Sequence, residues 1–353
     1  MSVASAFRGR RVLITGHTGF KGGWLALWLQ REGAEVSGLA LAPPTAPSLY
    51  ELAGVGSAMR IDERVDVRDL TSVERVMQQA APEVVFHMAA QPLVRHSYRE
   101  PVETFATNVM GTVHVLDAAR RVPSVRAVVV VTSDKCYENR EWPWGYRETE
   151  AMGGHDPYAA SKGCAELVTS AFARSYFSTA GPAVASVRAG NVIGGGDWAQ
   201  DRLVPDAMRA FVAGAEFVIR NPNAVRPWQH VLEPLRGYLM VAARLLNGAE
   251  SSASYNFGPG EDDARPVGEV IEKLVSHCPG GRYRVMGDAG PHEAHLLRLD
   301  CARARTELGW RPALPLDEAL AWTAAWYRDV ARGEDARALT LAQIAHYEAL
   351  VPA

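Results

Sequence analysis

The first half of the chain alternates short, almost wholly apolar runs with longer stretches in which apolar and polar residues are mixed. Runs rich in valine, isoleucine and leucine predict strands, and their continuous apolar character is typical of a sheet that is covered on both faces. The longer stretches predict helices. The predicted strands are 11–15, 35–40, 61–65, 83–87 and 127–132, and the predicted helices are 20–32, 71–80 and 101–121.

The second half begins with the same alternation of apolar and mixed stretches, and its predicted elements then become shorter. A helix is predicted at 157–177 and a strand at 183–188, after which glycine and proline divide the chain into shorter pieces. A helix at 231–247 and a strand at 254–257 are predicted to return to the sheet.

Strand–helix alternation with short links implies right-handed crossovers, and therefore an α/β fold with a Rossmann-type doubly wound parallel sheet. We predict that residues 1–190 and about 230–258 form this domain. Residues about 191–229 and 259–353 are predicted to form a smaller mixed α/β lobe at the C-terminal side.

Composition narrows the class of protein without indicating a function. The 353 residues are 48% hydrophobic and 22% charged, which is an ordinary globular balance. The formal charge of −3 lacks the basic excess of a nucleic-acid or membrane-surface binder. Cys136, Cys164, Cys278 and Cys301 have no metal-ligand spacing, so we expect four reduced thiols and no metal site. Without a long apolar run or a signal-like start, the protein is expected to be cytoplasmic.

A glycine-rich turn joins the first predicted strand to the first helix. Gly16, Gly19 and Gly22 fall where a tight turn needs positive φ and where phosphate oxygens need unobstructed N–H groups at a helix N-terminus. Three glycines alone are a weak signal, because an unliganded turn also uses them. Their place on the first strand of a βαβ pattern favours a dinucleotide-binding loop.

The end of the second strand bears on which dinucleotide binds. Rossmann sites for NAD usually carry Asp or Glu there, and this acid binds the ribose 2′-hydroxyl. Residues 37–44 contain no acid, and they contain no Arg or Lys that would face the 2′-phosphate of NADP. NAD is therefore favoured over NADP, but narrowly.

Other residues follow the predicted strands at the edge where open α/β sheets bind ligands. Asp66 and Val67 follow the third strand, where an adenine edge would lie. Met88, Ala89 and Ala90 follow the fourth strand, where a dinucleotide would cross the sheet, although the two alanines are equally suited to packing against a helix.

Candidate chemistry follows the fifth strand and continues on the next helix. Ser133, Asp134 and Lys135 place an acid and a base at the ligand-binding edge, and a solvated ion pair is the alternative. Tyr158 and Lys162 are four residues apart, so they lie on one helix face. A phenol with a pKa of about 10 becomes a usable proton acceptor where a nearby ammonium lowers that pKa. Together with the glycine loop, these residues indicate an acid/base site beside a nicotinamide.

In these segments the chain resembles the extended short-chain dehydrogenase/reductase family that acts on nucleotide-sugars, and within it the CDP-glucose 4,6-dehydratases. The glycine and Tyr/Lys motifs are typical of the whole superfamily, whereas Asp134-Lys135 and the segments around Trp198 and Trp228 are narrower. Ala42 departs from the pattern, since the resemblance implies an acid there. The matching segments are 15–22, 88–95, 132–139, 156–158, 161–164, 188–198, 226–231 and 291–294, which span nearly the whole chain.

The resemblance implies an NAD-dependent lyase that converts CDP-D-glucose into CDP-4-keto-6-deoxy-D-glucose for deoxysugar and lipopolysaccharide O-antigen biosynthesis. Tyr158, helped by Lys162 and Ser133, would remove the O4 proton during oxidation at C4. Asp134 would protonate the departing C6 hydroxyl, and hydride would then return to C6. Lys135 stands at the position of the C5 base; whether it is that base or a charge that stabilises the enolate stays open.

The resemblance also implies ligand contacts and a homodimer joined by the helices at 101–121 and 157–177. Asn191 and Arg226 would bind the diphosphate, since Arg offers a planar fork for phosphate oxygens, and His292 would contact the nucleotide unless it is a loop residue. The implied NAD-binding residues are Gly16, Gly19, Phe20, Lys21, Gly22, Asp66, Val67, Met88, Ala89, Ala90, Thr107, Tyr158 and Lys162.

Several alternatives remain open from the sequence. Asn108 either shapes the sheet near the site or is only a polar residue that bends its helix. A nucleotide-sugar 4-epimerase would need Tyr158 and Lys162 but no acid for C6, so Asp134 disfavours it. A non-catalytic dinucleotide-binding sensor or scaffold would need neither Tyr158 nor Lys162. A dehydratase for another nucleotide-hexose is also open, because the base identity rests on the resemblance.

Overall fold

A computed structural model describes residues 3–177, 181–219, 221–248, 253–260, 263–286 and 296–351 of the chain. Its strands are β1 (Arg11–Thr15), β2 (Glu35–Ala40), β3 (Ile61–Arg64), β4 (Val84–His87), β5 (Ala127–Val131), β6 (Ala183–Ala189), β7 (Asn191–Ile193), β8 (Glu216–Ile219), β9 (Val225–His230), β10 (Ala253–Phe257), β11 (Ala264–Pro266) and β12 (Arg282–Val285).

Helices separate most of these strands. The first seven are α1 (Phe20–Arg31), α2 (Leu49–Leu52), α3 (Leu70–Ala80), α4 (Val94–Arg99), α5 (Pro101–Phe105), α6 (Gly111–Arg120) and α7 (Pro157–Tyr176). The others are α8 (Leu203–Val212), α9 (Leu232–Leu246), α10 (Val267–Ser276), α11 (Ala302–Leu308), α12 (Leu316–Ala331) and α13 (Ala336–Leu350).

The central sheet has the strand order β3–β2–β1–β4–β5–β6–β10, with every pair parallel. The order reverses direction between β1 and β4, which creates the crevice where such sheets bind ligands. The predicted doubly wound α/β sheet is therefore confirmed, and 254–257 is its edge strand, as expected.

Both faces of the sheet are covered, which is why its strands are apolar throughout. One buried cluster joins the sheet to α1, α9 and α12, with Trp24, Leu235 and Leu320 among its members. A second joins the opposite face to α3 and α6, with Val76 and Leu116 among its members. Residues on alternate positions of each strand thus serve two separate cores.

Smaller sheets lie outside this layer structure. In one, β9 pairs parallel with β7 and antiparallel with β11; in the other, β8 pairs parallel with β12. The loop after β7 packs tightly because it carries glycine: a Cβ on Gly195 would lie 2.1 Å from the Trp326 ring. The boundaries proposed for the two lobes stay a prediction.

The helix predicted at 101–121 is confirmed, with one irregular turn inside it. That region is α5, then a π-helical turn at Ala106–Met110, then α6, and a further helix, α4, precedes it. Pro101 separates α4 from α5, since proline is suited to the first turn of a helix and not to its interior. Among the described residues, no helix is long and apolar enough to cross a membrane.

Candidate active site

The glycine turn packs closely against the segment that follows β4. Gly16 has φ of +80°, and a Cβ on it would lie 2.8 Å from the backbone nitrogen of Ala89. A Cβ on Gly22 would lie 2.2 Å from the carbonyl oxygen of Gly16. Only glycine permits this close packing of strand, turn and helix. The N-terminus of α1, which begins at Phe20, therefore opens directly at the crevice, and this backbone fits a dinucleotide pyrophosphate.

The segment after β4 is held to this turn by a buried hydroxyl. Thr15 Oγ1 accepts hydrogen bonds from the backbone N–H groups of Met88 and Ala89, at 3.1 and 3.0 Å. Its hydroxyl and Nδ1 of His87 are 2.8 Å apart. Burial lowers the pKa of His87 to about 3, so the ring is neutral. Because Thr15 Oγ1 already accepts from two N–H groups, its hydroxyl donates to Nδ1. Met88 to Ala90 thus lie beside the glycine turn, as a shared dinucleotide site requires.

Two other predicted cofactor residues lie at the same edge. Val67 is buried, and Asp66 beside it is hydrogen-bonded to the Arg68 side chain, which lowers the pKa of the carboxyl. Thr107 lies in the π-helical turn. None of these positions conflicts with a dinucleotide, and their contacts with one stay a prediction.

Asp134, the acid of the predicted catalytic cluster, is buried at 2% exposed. It starts a short 3₁₀ turn at Asp134–Cys136, directly after β5. Ser133 donates a hydrogen bond to its Oδ1 at 3.0 Å. Oδ2 is also buried, and it has no hydrogen-bond partner among the described residues. A buried carboxylate oxygen without a partner is costly, so this atom is suited to a ligand hydroxyl or to a proton.

The charge state of Asp134 follows from its surroundings. Burial raises the pKa of the carboxyl, and this effect outweighs Lys135, the hydrogen bond from Ser133 and the more distant Arg226 and Lys21, all of which lower it. An acid with a raised pKa can hold a proton for transfer.

Tyr158 lies in the first turn of α7, and its side chain is buried. Burial raises the pKa of the phenol to about 12, while a hydrogen bond with Ser133 lowers it. The cation that lowers this pKa most is Arg202, which donates to Asp197 at 2.8 Å. Arg202 was not identified from the sequence, and the effect expected of the Lys162 ammonium on this phenol stays a prediction.

Lys162 instead faces inward from α7. Its Nζ lies 3.3 Å from the carbonyl oxygen of Val131, the last residue of β5. Burial lowers the pKa of the ammonium to about 8, and Glu166 raises it. Lys162 therefore connects the helix that carries the phenol to the strand that carries the serine and the acid.

Lys21, which was predicted to bind the cofactor, lies among charged groups of the catalytic cluster. Burial lowers its pKa to about 8, with Arg202 and Lys162 adding to the effect and Asp134 and Asp197 opposing it. The phosphate turn and the acid/base cluster are consequently one site. A cation here can contact a phosphate as well as balance Asp134.

Asn108 joins three parts of this site from within the π-helical turn. Its Oδ1 accepts from the backbone N–H of Gln91 at 2.8 Å, and its Nδ2 donates to the Gln91 carbonyl and to Ser161. Ser161 in turn donates to the carbonyl of Tyr158, whose N–H donates to Ser97. Asn108 thus braces the start of α7, which favours the site-shaping interpretation over that of a helix-bending residue.

The largest feature missed by sequence reasoning is a buried ion pair below the site. Glu166 accepts from Arg188 through two bonds of 2.8 and 2.7 Å, and from Ser186 and Thr132. Arg188 also donates to the hydroxyl of Tyr137 at 2.7 Å. Glu166 follows Lys162 by four residues on α7, a spacing that could have indicated a shared face.

The predicted substrate residues lie across the smaller sheet. Asn191 on β7 pairs with Trp228 on β9, and Arg226 precedes it on the same strand. Arg226 is buried and close enough to Asp134 to lower the pKa of its carboxyl. His292 lies outside the described residues.

No cluster of metal-ligating side chains occurs in the described part of the chain, and the four cysteines are free. Burial raises the pKa of Cys136 and of Cys301, so these thiols are poor nucleophiles.

Known proteins share both the sequence and the fold. CDP-glucose 4,6-dehydratase of Salmonella typhimurium is 51% identical over 348 residues, which cover 97% of each chain. The structure of a dTDP-glucose 4,6-dehydratase from Streptomyces venezuelae, with NAD and TYD bound, has a TM-score of 0.76 at 26% identity, over 90% of this chain and 97% of that one. A UDP-glucose-4-epimerase from Stenotrophomonas maltophila, at 23% identity and a TM-score of 0.79 over 92% of this chain and all of its own, shares the fold. The profile of the family described as GDP-mannose 4,6 dehydratase matches residues 13–323, and the chain belongs to this family.

Proposed function

We propose that this protein is an NAD-dependent CDP-D-glucose 4,6-dehydratase, a lyase that forms CDP-4-keto-6-deoxy-D-glucose. The observation that carries the proposal is the buried carboxyl of Asp134, whose raised pKa and unpartnered oxygen suit a proton donor. It lies beside the Ser133–Tyr158 acid/base pair. The similarity over nearly the full length to a CDP-glucose 4,6-dehydratase supports the same assignment and is the basis for the cytidine nucleotide.

The glycine turn would hold the dinucleotide pyrophosphate at the N-terminus of α1, with Met88 to Ala90 beneath it. When bound, NAD would supply an acceptor for the hydride from C4 and a donor that returns it to C6.

Oxidation at C4 requires a base for the O4 proton, and Tyr158 takes this role. Burial raises the pKa of its phenol to about 12, so the phenol is protonated at neutral pH and accepts the O4 proton only where nearby positive charge lowers that pKa. Ser133 holds the phenol by a hydrogen bond, and the nearby Arg202 favours the negative oxygen that develops. Lys162 fixes the helix and adds positive charge.

The C4 ketone acidifies the C5–H bond and so prepares the loss of water. The C5 proton passes to a base, an enolate forms, and the C6–O bond breaks as Asp134 gives its proton to the departing hydroxyl. Lys135 acts at C5, either as a neutral amine that takes the proton or as an ammonium that stabilises the enolate. Lys135→Arg distinguishes these roles, because it keeps the charge and removes the base.

We also propose a homodimer, built on apolar side chains that a single chain leaves exposed on α4, α5, the π-helical turn and α7. These are Tyr98, Val102, Phe105, Met110 and Leu167, which are 37–81% exposed. Such a patch is typical of an association surface. We further propose a cytoplasmic protein that serves deoxysugar and O-antigen biosynthesis.

The experiment that tests the function is incubation with CDP-, dTDP-, GDP- and UDP-glucose in the presence of NAD. We expect a 4-keto-6-deoxy product and a clear preference for CDP-glucose. Formation of the corresponding galactose nucleotide would show that the protein is a 4-epimerase. Turnover of only one of the other nucleotide-glucoses would show that the substrate does not carry cytosine.

A further inference from the structure

The sequence leaves the recognition of the adenosine ribose without an obvious residue, because β2 ends in Ala40 and no acid follows it before Pro43. The neighbouring parallel strand, β3, offers candidate residues for this role. In the register of β2 and β3, Ala40 lies beside Arg64 and Gly38 lies beside Asp62. Neighbouring strands are about 4.8 Å apart, so a ribose at the end of β2 lies within reach of Arg64.

Four side chains form a hydrogen-bonded cluster at this point, the β3 cluster of His17, Tyr50, Asp62 and Arg64. Asp62 accepts from Arg64 at 2.5 Å, from His17 at 2.7 Å and from the hydroxyl of Tyr50. Arg64 also donates to the Tyr50 hydroxyl at 2.8 Å and lies over its ring, 4.9 Å from the centroid.

The cluster is part of the phosphate turn and not a chance surface contact. His17 belongs to that turn, is fully buried and lies against Gly38, where a Cβ would come within 2.4 Å of its Nδ1. A Cβ on Gly56 would come within 2.2 Å of the Tyr50 hydroxyl. These glycines therefore make room for the cluster, whose outer edge is the partly exposed pair Arg64 and Asp62.

The charges of the β3 cluster cancel. Burial acts to raise the pKa of Asp62, but hydrogen bonds from Arg64, Tyr50 and His17 lower it to about 2, so the carboxylate stays ionised. Burial lowers the pKa of His17, which leaves its ring neutral at neutral pH. Arg64 is thus neutralised by Asp62, and the cluster offers a polar surface without net charge.

We propose that Asp62 sets the preference for NAD over NADP by holding Arg64 away from the ribose 2′ position. An unpaired Arg near the end of β2 accommodates the 2′-phosphate of NADP. With its guanidinium engaged by Asp62 and Tyr50, Arg64 cannot serve as that counter-charge, whereas a 2′-hydroxyl needs only a hydrogen-bonding partner. The inference rests on the proposed use of NAD and adds the residue that selects it.

Asp62→Asn tests this directly, since the amide keeps the shape and can still accept from Tyr50, but no longer neutralises Arg64. The affinities of NAD and NADP are measured by calorimetry on purified, cofactor-free protein. NADP should bind about tenfold tighter or more in Asp62→Asn, the value of one charge-assisted hydrogen bond, with NAD little changed. In Asp62→Asn/Arg64→Gln this gain should disappear.

Glu63→Gln is the matched control, because Glu63 lies on the same strand, pairs with Arg75 at 3.2 Å and occupies the other face. Its ratio of NAD to NADP affinity should equal that of the wild type. If Asp62→Asn does not fold, Arg64→Gln alone should weaken NADP binding and spare NAD binding, because it leaves the Asp62 carboxylate without its counter-charge beside the 2′-phosphate. An unchanged ratio in Asp62→Asn, or a gain that persists without Arg64, overturns the inference while leaving NAD binding intact. Failure of the wild type to bind NAD would instead overturn the proposed function as well.

Discussion

Glu166 accepts two hydrogen bonds from the guanidinium of Arg188, at 2.8 and 2.7 Å, and neither side chain is more than 5% exposed. The pair links α7, which carries Tyr158 and Lys162, to β6. Through Thr132 it also reaches the residue directly before Ser133. The buried pair therefore positions the two elements that bear the acid/base groups.

Glu166→Gln should destabilise the fold by about 3–5 kcal/mol, because it leaves the Arg188 guanidinium buried without a counter-charge. Urea denaturation measures this loss. Glu63→Gln is the control, since its exposed ion pair with Arg75 should contribute no more than about 1 kcal/mol. Equal effects of the two substitutions would show that burial of the Arg188 pair does not matter for stability.

Tyr158→Phe should reduce turnover about 10²–10⁴-fold, the usual contribution of a general base. The ring keeps its place in α7, so the affinity for NAD should change little. Steady-state kinetics and calorimetric NAD titration measure the two quantities separately. Turnover at the wild-type rate would exclude the phenol as the proton acceptor.

Asp134→Asn should spare the oxidation at C4 and slow the elimination of water. Tyr158 and Lys162 are untouched, so oxidation at C4 should proceed, whereas elimination should slow strongly because the amide cannot protonate the C6 hydroxyl. The absorbance of reduced nicotinamide should then accumulate transiently after rapid mixing with CDP-glucose. Formation of the 6-deoxy product at the wild-type rate would place the acid elsewhere.

The same substitution should stabilise the protein at neutral pH. Burial raises the pKa of Asp134 in the folded state above its value of 3.8 in the unfolded chain. The folded state therefore binds more protons in the interval between the two values, and the free energy of unfolding falls as the pH rises through it. Asn does not titrate, so Asp134→Asn does not lose this part of the free energy of unfolding as the pH rises. Its melting temperature should therefore exceed that of the wild type at pH 7 and match it below pH 3.8. A lower melting temperature at pH 7 would contradict the pKa assignment.

Leu167→Glu should convert the proposed dimer into a monomer. Leu167 is 61% exposed in the single chain, and a glutamate there would place an unpaired charge inside the interface. Light scattering at micromolar protein measures the mass. Leu350→Glu, an exposed leucine at the end of α13, should leave the dimer intact. A wild-type monomer would refute the dimer itself.

The sequence predicts the sheet better than it predicts the site. The strands were identified because valine-rich runs such as Ala127–Val131 must be buried on both faces. The helix α4 was missed because six residues carry little periodicity, and the π-helical turn has no signal in a helical pattern. Arg202 was missed because it follows β7 whereas Tyr158, whose pKa it lowers, lies on α7, and Arg188 was missed because its partner Glu166 lies on another element; only folding brings these groups together.

CDP-glucose carrying deuterium at C4 separates a dehydratase that uses Asp134 and Tyr158 from an epimerase. We expect a 4-keto-6-deoxy product in which that deuterium has moved to C6 and the hydrogen at C5 comes from water. Deuterium that returns to C4 in CDP-galactose, with C5 unexchanged and the C6 hydroxyl retained, would contradict it and identify an epimerase.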